Sequence, residues 1–114
     1  VPNTDPSKAA RDAAEAIRKL NHATLNQKVP APVISSIAQA LCGLVDRMPQ
    51  TFEQLGHQLK QRRAEDAIRM DTGENPAAAV VEAMVALDDA VQHLAAVSRS
   101  LHLAASPLFH MAAK

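Results

Sequence analysis

The sequence predicts an all-α protein, an antiparallel up-down four-helix bundle with a long C-terminal helix, in one domain spanning residues 1–114. Three observations carry that expectation. Ala is the commonest residue, and the aromatic side chains are two Phe with no Trp or Tyr. Ala, Leu, Glu, Gln, Lys and Arg favour helix, whereas strands want the β-branched and aromatic residues that are scarce here. Apolar residues also recur at alternating steps of three and four, the spacing of one helix face. Pro, Gly and Asn, finally, fall between those periodic stretches, where helices must stop and restart. A chain of 114 residues leaves no room for a second core.

Helix one is expected over about residues 6–26. Asp5 is suited to cap it and Pro6 to occupy its first position, where the missing N–H would be unpaired anyway. Ala10, Ala13, Ile17, Leu20 and Thr24 form its stripe, with Lys8, Arg11, Asp12, Glu15, Arg18 and Lys19 on the other faces. Val29-Pro30-Ala31-Pro32 ends it. Helix two, about 32–48, has the stripe Ile34, Ile37, Leu41, Leu44 and Met48. Pro49 disfavours helical geometry at Met48, and Thr51-Phe52-Glu53-Gln54 reads as a capping box that opens helix three, about 51–70. The junction at Pro49 admits a hairpin or one sharply bent rod, and the hairpin is preferred.

Asp71 to Pro76 is the strongest turn signal. Gly73 suits a left-handed helix stop, Asn75 a cap and Pro76 a first helical position. Helix four then keeps a heptad stripe of Val80, Met84, Leu87, Val91, Leu94, Ser98, Leu101 and Ala105 over about 76–105. At 1.5 Å per residue it spans roughly 45 Å, against roughly 26–30 Å for helices two and three. Its last turns should therefore overhang the bundle. Ser106-Pro107 interrupts, and a short apolar tail follows. Leu94, Leu101, Leu108, Phe109 and Met111 are the candidate interface residues on that reading.

Chemical motifs are few. Twelve Lys and Arg balance twelve Asp and Glu, so no long-range field draws polyanions or a membrane surface. The single Cys42 lies among Leu41, Gly43, Leu44 and Val45, which supply neither a base nor positive charge to activate a nucleophile. A lone thiol forms no internal disulfide, which suits the cytoplasm. No apolar run reaches membrane-spanning length, and no signal-peptide pattern opens the sequence. Glu53 precedes His57 and Asp89 precedes His93 by four residues, a spacing of surface pairs. The Glu-x-x-His step of di-iron bundles is missing. His22 projects away from the stripe of helix one, and Asn21 beside it is expected to meet the loop that follows and help bind its carbonyls.

The one basic cluster is Lys60, Arg62 and Arg63, with Arg69 beyond it. It offers an alternative reading as a small DNA-binding regulator that uses helix three, but Glu65, Asp66 and Asp71 follow at once and no aromatic residue stands by for stacking. A third reading is ligand or metal binding within the bundle. The preferred expectation is a non-enzymatic helical interaction module without a cofactor, a homodimer or the binder of a helical protein partner.

Residues 14–24, 37–44 and 46–50 together resemble a group of small Ala-rich helical-bundle proteins from actinobacteria. The similarity lies in Leu20-Asn21-His22-Ala23-Thr24, in the junction Arg47-Met48-Pro49-Gln50, and in an Ala-rich last helix after the Gly73 to Pro76 turn. That resemblance implies a source, with a plasmid or mobile-element setting, and brings no activity with it.

Overall fold

In a computed structural model that describes residues 5–114, the chain forms three helices: α1 (Pro6–Asn26), α2 (Ala31–Ala64) and α3 (Pro76–Phe109). The expectation of a four-helix bundle is corrected on two counts. What were to be helices two and three are one continuous helix, and α2 and α3 are the only pair among the described residues that pack together.

Local chemistry accounts for α1 completely. The Asp5 carboxylate accepts from the Ser7 N–H at 3.0 Å, and Pro6 takes the first helical position. Lys8 pairs with Asp12 at 2.8 Å and Arg18 with Glu15 at 2.7 Å. The Asn26 amide then donates to the His22 carbonyl at 2.8 Å, and Gln27 leaves the helix in extended geometry. This contact lies within the last turn of α1, and the Asn21 carbonyl accepts from the Thr24 hydroxyl at 3.2 Å, also within the helix.

Pro49 does not break α2. It removes one hydrogen bond and crowds one carbonyl, at a cost of about 3 kcal/mol. Ending one helix there and starting another would instead leave up to about eight backbone groups without intrahelical partners, and packing along α3 favours the unbroken rod. Thr51 and Gln54 are accordingly interior residues, not a capping box. The helix stops at Ala64, before the expected residue 70. Asp66 adopts a left-handed φ of 55° and the Ala67 N–H returns to the Arg62 carbonyl at 2.9 Å, the six-to-one closure of a Schellman ending. An Asp tolerates that conformation better than most residues. Gly73 is also left-handed, at φ 81°, but within the turn that follows. Asn75 caps α3 through the Ala77 N–H at 2.9 Å.

Helix α3 also runs past its expected end at residue 105, carrying Pro107 in its final turns. The overhang disappears with these corrections: α2 and α3 are each 34 residues long, or about 51 Å. They run antiparallel, since Asp46 meets Ser98 and His102 while the loop joins residue 64 to residue 76. The seam between them is thin. Among the described residues Ser35, Ala38, Cys42 and Val80 are the buried ones, and no large side chain is fully enclosed.

Helix α1 leaves this hairpin at the Pro-rich elbow of residues 27–30 and packs on neither long helix. The chain consequently has a radius of gyration of 18.8 Å and extents of 62 × 31 × 29 Å. A compact domain of this length has a radius of gyration of about 13 Å.

Candidate functional site

Three apolar surfaces stay open on this frame. A groove of about 510 Å³ runs between the helices toward the loop end of the hairpin, with Phe52, Gly56, Met84, Val85 and Val91 along it and Glu53, His57 and Asp88 at its edges. Val85 is 57% exposed. A smaller recess of about 230 Å³ sits in the elbow, where Leu20 and Ala23 of α1 come near Val29, Val33 and Ile37. The third surface is the stripe of α1 itself. No residue of α1 is buried, and Ala10 and Ala13 are exposed.

The glycine in the first groove is informative. A Cβ built at Gly56 meets nothing within 4 Å, so no neighbour inside the chain requires glycine there. Glycine in a helix interior costs about 0.5–1 kcal/mol relative to alanine. Gly43 differs, since a Cβ there would come within 2.9 Å of the Arg47 guanidinium, which curls back to the Gly43 carbonyl at 2.8 Å.

Of the interface residues expected from sequence, Leu94 and Leu101 share the stripe of buried Val80 and are half-buried, as is Leu108. They belong to the seam with α2. Phe109 and Met111 do face out, at 67% and 49% exposure, and the Phe109 ring stands edge-on to His110 at 5.4 Å. Lys60, Arg62 and Arg63 fall in the closing turns of α2 and Arg69 in the following loop. Arg62 grips Glu65 through two 3.0 Å hydrogen bonds and reaches Gln58 at 3.1 Å, so its charge is already matched at home. Glu53, His57, Asp89 and His93 are exposed, and among the described residues no three His, Cys, Asp or Glu gather as a metal site would require. No helix of the described residues is long and apolar enough to cross a membrane.

Sequence reasoning missed the polar tie across the hairpin. Ser98 donates to Asp46 at 2.7 Å, and the His102 imidazole lies 2.9 Å from the other carboxylate oxygen. These contacts hold the Asp46 carboxyl below its ordinary range, the Ser98 hydroxyl most and His102 next. Their signal was weak in the sequence: an Asp on the polar side of α2, and a Ser and a His four residues apart on α3.

No family model, curated protein or solved structure matches this chain. The actinobacterial resemblance accordingly brings no residue roles to these surfaces.

Proposed function

We propose that the protein is a non-enzymatic helical interaction module that self-associates as a homodimer. The observation that carries this reading is the surface left open. The chain exposes 8932 Å², whereas a compact monomer of 12.2 kDa exposes roughly 6,100 Å². The surplus, roughly 2,800 Å², exceeds the roughly 800 Å² that each partner gives to a standard interface and suits the larger contacts of obligate dimers. Much of the open surface is apolar, with Leu55, Val81, Val85, Val97 and Leu103 all exposed. Two hairpins laid face to face would supply the four-helix arrangement that the hydrophobic pattern specifies and one chain lacks. A net charge of zero leaves little repulsion between copies. The buried free thiol of Cys42 suits a reducing compartment, the cytoplasm on this reading.

Light scattering coupled to gel filtration tests the proposal. Twice the chain mass is expected at micromolar concentration, and a mass of one chain at high micromolar concentration overturns it.

A further inference from the structure

We propose that α1 is an arm poised to close as a strap: it folds back about the elbow onto the stripe Ile37, Leu41, Leu44 and Met48 of its own α2. The structure is the open form, and closure is an excursion from it. Closure concerns one chain alone, so it and self-association stand or fall separately.

The two stripes mirror each other about the elbow. Helix α1 ends at Asn26 and α2 begins at Ala31. An antiparallel fold centred between Lys28 and Val29 sets Leu20 against Ile37, Ile17 against Leu41, Ala13 against Leu44 and Ala10 against Met48. Small side chains of the arm thus meet large ones of α2. Lengths agree as well: Ala10 lies roughly 24 Å before the end of α1 and Met48 roughly 26 Å past the start of α2. The first of these rungs is already close, because Leu20 and Ala23 share the elbow recess with Val33 and Ile37. Beyond it Ala10 and Ala13 are exposed, and Leu41, Leu44 and Met48 are half-buried. Arg18 and Glu15 pair with each other on the opposite face of α1, so closure covers neither.

The elbow has the length and the joint for this movement. Connections of roughly two to five residues join antiparallel helix pairs, and residues 27–30 separate these two helices. Pro30 fixes its own φ and disfavours helical geometry at Val29. Gln27, extended at φ −145° and ψ 156°, and Lys28 are left to absorb the rotation. Surface covered by the strap is withdrawn from a second copy, so closure opposes self-association wherever both use it.

Cross-linking within the full-length chain tests the strap. Ala9→Cys and Arg47→Cys replace exposed residues beside the Ala10–Met48 rung, on the edge away from the seam, and a short bis-maleimide should join them. Cys42 stays in its seam at 6% exposure. The linked product should run, denatured, at the mass of one chain and form at a rate independent of chain concentration. Ala13→Glu sets a charge against Leu44 and should slow the link about tenfold or more. Ala13 is exposed in the open form and Glu favours helix, so that variant keeps the arm and the hairpin folded. Moving the first thiol to the outer face of α1, with Lys8→Cys, should slow the link as well. A rate indifferent to Ala13→Glu, or equal from Lys8→Cys, marks a loose arm without a seat and overturns the strap. A linked product of two-chain mass also overturns it. Self-association is read separately, by light scattering of the parent chain.

Discussion

Helix α1 has an Asp cap, a Pro at its first position and two close ion pairs, yet only its last turns come near α2, at the elbow recess. Helix α2 begins at Pro30 without a side-chain cap and carries Pro49 in its interior, yet it is half of the hairpin. The contrast separates two sources of order. The order of α1 is local, in hydrogen bonds and charges among near neighbours. That of α2 comes from tertiary contact, which overrides a local cost of about 3 kcal/mol at its proline.

Substitutions of one kind in both regions sharpen the contrast. Ala38 is buried in the seam where α3 approaches, while Ala9 on α1 is exposed. Enlarging Ala38 to Leu should overpack the seam and lower unfolding free energy by about 1–3 kcal/mol. Ala9→Leu should stay within about 0.5 kcal/mol of the parent. Urea titrations of both variants measure the difference, and equal effects would mean that the seam is no tighter than the free arm.

Caps give the next comparison. Asn75 accepts the Ala77 N–H at the start of α3, and Asp5 accepts the Ser7 N–H at the start of α1. Removing the first cap with Asn75→Ala should cost about 1 kcal/mol of global stability, because α3 melts with the hairpin. Asp5→Ala should instead fray the arm, seen as faster amide exchange near Ala9 with an unchanged urea midpoint.

The smallest effect belongs to the tie at Asp46. Its folded-state pKa is depressed, so the stability it contributes is present above the ordinary Asp value of about 4 and is lost as pH falls through the lower folded value. Asp46→Asn should flatten the acid limb of the stability profile below about pH 4 and leave the neutral plateau nearly level. The corresponding pair on α1 is Glu15 with Arg18, whose contact also lowers the Glu15 pKa. Glu15→Gln should leave the global acid limb alone, since α1 is not part of the packed unit.

Much of the fold was legible wherever the signal is local. Asp5-Pro6, Asn75-Pro76 and the heptad stripe of α3 mark helices by capping chemistry and periodicity, and α1 and α3 begin where those residues stand. Pro49 misled because a proline's local penalty is fixed by sequence, while the tertiary gain that outweighs it is not. The stop at Ala64 was hidden for a related reason: an Asp, not the more legible Gly73, takes the left-handed position. The candidate surfaces were least legible. Leu94 and Leu101 read as overhang only because their partner helix was thought to end early, and the groove exists only once Phe52 and Gly56 are laid beside Met84 and Val85.

The seam has one further consequence. Cys42 is the sole thiol of the sequence and sits among the small residues that let the two long helices close on each other. A thiol reagent reaches it only when those helices part. Its modification rate in native buffer therefore counts openings of the hairpin, on timescales that static surfaces do not record. In a dimer those openings would require both copies to yield, so the same thiol becomes a clock that slows as protein concentration rises.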